Sequence, residues 1–186
     1  GGAAVPLDEG VVNVSLILPK EPGRTDLHAD FTRMADLLKA AVAPYAANVA
    51  AGEIAGAYCP GAYDLSVGGR KFCGISQRRL ARAQIVQAFV NVAGAGFLRA
   101  QTARQFYELA AGNVIADEGG YPRVMLESMT SLAEDTLLSG ADELVAAVKK
   151  QLSGQGVTLV PISVYDPDTP EIRETIARLR ERYGLG

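Results

Sequence analysis

The chain has 186 residues, 48% of them apolar and 21% charged, with a formal net charge of −3. That length and composition suit one globular domain with a sizeable core. The absence of a long basic run argues against nucleic acid or an anionic membrane as partner, and no apolar run approaches the ~18 residues of a membrane span.

In chain order, Val11 to Leu18 is rich in β-branched and apolar residues and predicts a strand. Pro19 to Gly23 breaks it. Thr25 is placed to cap a helix whose Leu27, Phe31, Met34, Leu37, Leu38 and Val42 recur at steps of three and four, and Pro44 ends it. Gly52 to Gly61 reads as a loop with a short strand at Glu53 and Ile54. Asp64–Val67 and Lys71–Ser76 flank Gly68-Gly69, a two-residue hairpin signal. Ala83 to Val92 predicts a long strand, closed by Ala93-Gly94-Ala95-Gly96. Helices are expected over Gln101–Ala111, over Ser131–Leu138 with Glu134 completing a capping box, and over Ala141–Leu152. Val157 to Val164 contains a proline and predicts at most an edge strand or an extended segment. Thr169-Pro170 opens a last helix that Gly184 closes. Strands giving way to a helical C-terminal third predict an α/β (α+β) fold, a mixed sheet packed with helices.

Cys59 and Cys73 are the only cysteines. Their spacing forms no metal-ligand motif and no disulfide framework, which fits a reducing, cytoplasmic setting. Cys59 lies in Tyr-Cys-Pro-Gly, a loop sequence, where a thiol is reachable rather than simply packed. An ordinary thiol is mostly protonated at neutral pH and needs a cation, a base or a helix N-terminus beside it to act as a nucleophile. The lone histidine, His28, begins an amphipathic helix and reads as a solvated residue. Lys71, after the hairpin and before apolar Phe72, is the better partner if it is buried, and an ordinary turn lysine if it is not. Cys73, between Phe72 and Gly74 in a strand, reads as packed core.

Gly74 inside a strand allows a close approach by backbone or ligand. Gln77, Arg78 and Arg79 follow it; the arginines either bind a carboxylate of an acidic carrier protein or face solvent. Gly1 and Gly2, with Asp8 and Asn13, are candidates for a backbone-lined pocket edge. Neither a Walker A sequence nor G-x-G-x-x-G after a strand is present, so ATP dependence has no support and no cofactor is expected.

The segment Tyr58-Cys59-Pro60-Gly61-Ala62-Tyr63-Asp64-Leu65-Ser66 through Gly69-Arg70-Lys71-Phe72-Cys73-Gly74-Ile75-Ser76-Gln77-Arg78-Arg79, with Gly1-Gly2-x-Ala-Val-x-x-Asp8-x-Gly10-x-x-Asn13 before it, resembles the lipoate/biotin protein ligase (cofactor transferase) family. It is most similar to that family's cysteine-dependent octanoyl amidotransferases of lipoate assembly. Ala62 and Cys73 depart from the pattern, which usually carries a polar residue and an alanine there. The resemblance implies one cofactor-transferase catalytic domain over residues 1–186 that lacks the family's N-terminal region. It implies Cys59 as acyl nucleophile and Lys71 as the lysine that lies against the acyl carbonyl, orients it and handles protons. It further implies octanoyl transfer, in protein lipoylation, from the glycine cleavage H protein to lipoyl domains of 2-oxoacid dehydrogenases through a cysteine thioester. The alternatives are an octanoyltransferase using acyl carrier protein as donor, an ATP-dependent lipoate ligase, and a non-catalytic domain that binds lipoyl carriers.

Overall fold

A computed structural model describes residues 3–19, 26–112, 121–161 and 168–184. Its centre is a five-stranded sheet in the order β1-β5-β4-β3-β2, formed by β1 (Val11–Pro19), β2 (Val49–Ala51), β3 (Leu65–Val67), β4 (Arg70–Arg79) and β5 (Ala83–Asn91). All four pairings are antiparallel. The parallel element among the described residues is a single bridge between Lys71 and Met129, so the α+β expectation holds while the sheet itself is not mixed. The chain runs from β1 at one edge across to β2 at the other, then returns as a meander through β3, β4 and β5.

The long connection is α1 (Leu27–Val42), which starts one residue later than Thr25 would cap it. Asp26 is the N-cap and accepts from the backbone N–H groups of His28 and Ala29. Thr25 itself lies outside the described residues. The apolar face of α1 is real: Met34, Leu37, Leu38 and Val42 are buried against Val86, Ala88 and Val90 of β5. α4 (Ala141–Gly154) joins this layer through Leu144 and Val148. Strand alternation sends Phe89 and Asn91 to the opposite face, where α2 (Gly96–Ala111) contributes Ala100, Ala103 and Tyr107 to a second core with Ala57, Tyr58 and Met129.

α2 begins five residues before the expected Gln101, because Gly96 can press against the backbone of Thr130, where a Cβ would meet Thr130 Cα at 2.3 Å. The short α3 (Leu132–Asp135) carries the expected Ser131–Glu134 capping box. Glu53 and Ile54 form no strand; the short edge strand is β2, just upstream. Residues 157–161 form no strand either, and 162–167 lie outside the described residues. α5 (Pro170–Tyr183) begins with Thr169 as cap and ends at Gly184 in the left-handed conformation, with none of its residues buried. No helix among the described residues is long and apolar enough to cross a membrane.

Candidate active site

β3 and β4 are joined by Gly68 and Gly69 at φ 56° and 78°, the two positive values that a tight two-residue hairpin demands. Beyond the turn the ladder slips. Ser66 faces Lys71 but Leu65 faces Cys73, leaving Phe72 without a partner. This bulge re-aims the side chains. Phe72 and Cys73 both enter the α1-side core, while Lys71 turns to the face carrying Gly74 and Phe89. Lys71 is fully buried there, its Nζ 5.4 Å from the centroid of Phe89 and 6.0 Å from that of Tyr58.

A buried ammonium must be paired and hydrogen-bonded. Lys71 Nζ lies 2.7 Å from Asp64 Oδ2, and Asp64 is itself only 1% exposed. Nζ also donates to the carbonyl of Tyr58 at 2.9 Å and to the carbonyl of Cys59. The lysine thus ties both ends of the 58–64 loop to the sheet. Within that loop the Gly61 N–H donates to Asp64 Oδ2 at 3.0 Å. Cys59 is held at φ 48°, the one non-glycine residue with positive φ among those described. Such a conformation is uncommon outside glycine and persists only where its surroundings impose it. The surroundings are visible. Tyr58 is buried, receives Asn91 Nδ2 on its hydroxyl at 3.1 Å and stacks on Phe89. Tyr63 stacks on Phe31 at 4.8 Å and pairs with His28 Nδ1 at 2.8 Å. Ser128 Oγ and the Met125 N–H both donate to the Gly56 carbonyl.

Electrostatics set the resting state of the thiol. Cys59 is half-buried, and its pKa is raised chiefly by desolvation, which outweighs the lowering by Lys71; Asp64 adds to the rise. Burial pushes the Asp64 carboxyl up to about 6 against the opposing pull of Lys71. Tyr58 rises to about 12, mainly by burial. Cys73 is completely buried and its thiol is driven far up by desolvation. Of the two cysteines, Cys59 is therefore the accessible one, and at neutral pH it rests as a thiol beside an already neutralised lysine.

The structure brings Cys59, Lys71 and Gly74 together. A Cβ on Gly74 would fall 2.4 Å from Phe89 Cε1 and 3.3 Å from Lys71 Cε. The remaining candidates sit elsewhere. Asp8 binds Arg99, a buried residue of α2, through two contacts at 2.9 and 2.6 Å. Asn13 is exposed on β1, opposite Phe89 in the ladder. Gln77 lies opposite Val86, on the α1 side. Arg78 is exposed, and Arg79 reaches α1, donating to Asp30 Oδ2 and the Asp26 carbonyl, each at 2.7 Å. Gly1 and Gly2 lie outside the described residues. His28 is paired with Tyr63. A groove of about 960 Å³ lined by Leu16, Thr32, Leu37 and Leu152 runs along α1, on the face away from Lys71. No cluster of metal-ligating side chains occurs among the described residues.

Asp64, Asn91 and Arg99 are the functional-looking residues that sequence reasoning missed. Asp64 stood inside the Cys-Pro-Gly-x-Tyr-Asp run, and its spacing from Cys59 was the available signal. Asn91 and Arg99 meet their partners only through tertiary packing.

A buried lysine thus clamps a cysteine-bearing loop on an antiparallel sheet with helices on both faces. Residues 1–153 match the lipoyl protein ligase A/B catalytic domain family, and the chain belongs to that family. It is 40% identical over 185 residues to the octanoyl-[GcvH]:protein N-octanoyltransferase of Geobacillus kaustophilus, covering 98% of this chain and 64% of that protein. The enzymes of the same name from Bacillus velezensis and Exiguobacterium sibiricum are 42% and 38% identical, with 83% and 98% of this chain covered and 56% and 66% of theirs. The chain thus spans about three-fifths of the length of these relatives. Its fold is similar to the bipartite lipoate protein ligase of Thermoplasma acidophilum (TM-score 0.63, 17% identity, 97% of this chain and 63% of that one). It is also similar to a lipoate-protein ligase A solved with ATP (TM-score 0.62, 15% identity, 95% and 62%).

Proposed function

We propose that this chain carries the catalytic core of an octanoyl amidotransferase of protein lipoylation, with Cys59 as the nucleophile. The observation that carries the reading is the clamp. Buried Lys71 binds the carbonyls of Tyr58 and Cys59, and so presents an accessible thiol on a backbone that would not otherwise hold it. The roughly 40% identity to octanoyl-[GcvH]:protein N-octanoyltransferases supplies the acyl group and the donor.

In this reading Cys59 Sγ attacks the octanoyl-lysine amide of the glycine cleavage H protein, forming an octanoyl thioester and releasing the donor lysine. A lysine of another lipoyl domain, on a 2-oxoacid dehydrogenase subunit, then attacks the thioester. The first step climbs from amide to thioester and the second descends by the same amount, so the exchange is nearly neutral and needs no ATP. Lys71, whose Nζ reaches the Cys59 backbone, orients the acyl carbonyl and handles protons in both steps.

Intact-mass spectrometry after mixing the protein with octanoylated H protein, without ATP, tests this. An octanoyl adduct should form on the wild type and on Cys73→Ser and be absent from Cys59→Ser. An adduct that survives loss of Cys59, or lipoyl transfer that depends on ATP and free lipoate, would overturn the reading.

A further inference from the structure

The loop that carries Cys59 is gripped from both faces of the sheet. On one face Lys71 holds it. An ammonium has three N–H donors, and all three are engaged: by the carbonyls of Tyr58 and Cys59 and by Asp64 Oδ2. To orient an acyl carbonyl, Lys71 must exchange one of these contacts for the substrate. The ion pair with Asp64 is buried on both sides and is the costliest to break. The exchanged contact is therefore one of the two loop carbonyls. That release loosens the loop beside Cys59, whose φ of 48° persists only while its surroundings impose it. The second grip lies at the far end of the loop. Tyr63 precedes Asp64 and turns the other way, onto α1. Its ring stacks on Phe31 with centroids 4.8 Å apart and planes 10° from parallel, and its hydroxyl meets His28 Nδ1 at 2.8 Å. His28 and Phe31 stand one turn apart on α1 and share a face. That end of α1 is itself tied to the sheet: Arg79 donates to the Asp26 carbonyl and to Asp30 Oδ2, and Gln84 Nε2 donates to Asp30 Oδ1 at 2.8 Å.

We propose that Tyr63 is a positioning residue for the acyl transfer: its anchor on Phe31 and His28 holds the Cys59 loop against β4 while Lys71 exchanges a loop carbonyl for the acyl carbonyl. The proposal rests on the thioester reading above. Tyr63 lies on the α1 side of the sheet and acts on Cys59 only through the loop backbone. The two grips divide the work. The Lys71 grip sets the resting loop and is partly given up in the reaction. The Tyr63 grip uses no group that the reaction needs, so it stays in place through both half-reactions.

This division separates two reactions of the same thiol. Octanoylation of Cys59 requires Lys71 on the acyl carbonyl, so it requires the loop to keep its place with one Lys71 contact released. Alkylation of Cys59 by a small reagent requires only a reachable thiol, and in the resting loop the full Lys71 clamp still presents it. Loss of the Tyr63 anchor therefore slows the first reaction and spares the second.

The test compares wild type, Tyr63→Ala and Tyr63→Phe in both reactions: adduct formation over a range of octanoylated H protein concentrations, and alkylation of Cys59 by iodoacetamide at about pH 7. Tyr63→Ala should lower the saturating rate of adduct formation about tenfold or more, since a small misplacement of reacting atoms is costly. The half-saturating donor concentration and the alkylation rate should stay within about twofold of wild type. Tyr63→Phe keeps the stack on Phe31 and should recover most of the lost rate. A wild-type saturating rate in Tyr63→Ala overturns the proposal alone. So does a rise in half-saturation with the saturating rate unchanged, and so does alkylation that slows in step with acylation, the mark of a merely structural contact. If the wild type forms no adduct, the acyl-transfer reading falls and the proposal falls with it. Should Tyr63→Ala fail to fold by circular dichroism, Phe31→Leu removes the stacked ring from the α1 side, keeps that position apolar and is judged by the same criteria.

Discussion

Gly74 stands directly opposite Phe89 in the β4–β5 ladder, and the ring occupies the space that any side chain on Gly74 would need. The same ring forms the floor beneath the Lys71 ammonium. Gly74→Ala would place a methyl 2.4 Å from Cε1, so Phe89 must turn out of its position and the lysine clamp loses its support. The expected cost is about 1–3 kcal/mol of stability, the usual range for overpacking, together with a slower Cys59 adduct. A denaturant titration and the intact-mass assay read the two effects, and a variant with wild-type midpoint and rate would show that the contact is not limiting.

What the sequence disclosed about this region is local, and what it hid is tertiary. The Gly68-Gly69 turn, the Ser131 capping box and the Thr169-Pro170 helix start each depend on residues within one turn of each other, and all three form as expected. The bulge at Phe72 carries no comparable local signature, yet it decides that Lys71 faces the loop and not the α1-side core. That Lys71 reaches the backbone of the loop carrying Cys59 was legible because the two stand on either side of one hairpin. Asp64 was harder to see, since an aspartate before a strand reads equally well as a turn residue. The Asp8–Arg99 pair joins positions far apart in the chain, and no pattern within either segment links them. Arg78 and Arg79 were indistinguishable by composition; strand alternation separates their fates.

Removing one member of the buried pair should hurt more than removing both. Lys71→Met leaves the Asp64 carboxylate buried without its cation, and the expected loss is about 3–5 kcal/mol at pH 7. Combining Lys71→Met with Asp64→Asn removes the stranded charge, so the double variant should recover a measurable part of that loss. The sign of the pH effect follows from the raised carboxyl. In the single variant Asp64 loses its opposing cation and its folded pKa climbs above the about 6 of the native protein. Stability is then fullest below the unfolded carboxyl value and is lost as pH rises through the folded one. The deficit relative to wild type should therefore be larger at pH 8 than at pH 5 in equilibrium unfolding.

Asp8 behaves in the opposite sense. The hydrogen bonds from Arg99 hold its carboxyl below the usual range. A depressed folded pKa contributes stability above the unfolded value of about 3.9 that is lost as pH falls through the folded one. Asp8 is 52% exposed, so screening holds the contribution to under about 1 kcal/mol. Asp8→Asn should lower the unfolding midpoint slightly at pH 7 and match wild type near pH 2. Arg99→Met should cost more, because it also abandons the Ala93 carbonyl that Arg99 serves.

The two adjacent arginines of β4 should fail in different assays. Arg79 spans to Asp30, a residue 1% exposed whose other oxygen is held by Gln84 at 2.8 Å. Arg79→Met strands that carboxylate and frees the N-terminal turn of α1, with an expected loss of about 3 kcal/mol. Arg78 alternates with Gly74 and Ser76 on the outer part of the strand and is exposed, so its removal should leave the melting curve within about 0.5 kcal/mol of wild type. On the proposed function, an acidic carrier approaching Cys59 across the Gly74 face of the sheet would meet Arg78. Arg78→Glu should raise the KM for octanoylated H protein several-fold and weaken its salt dependence while leaving kcat nearly unchanged, because rim charges steer encounter more than chemistry. Steady-state transfer at two ionic strengths separates the cases. A fall in kcat with KM unchanged would place Arg78 in the chemistry of the site, and no effect in either would mean that the carrier approaches by another route.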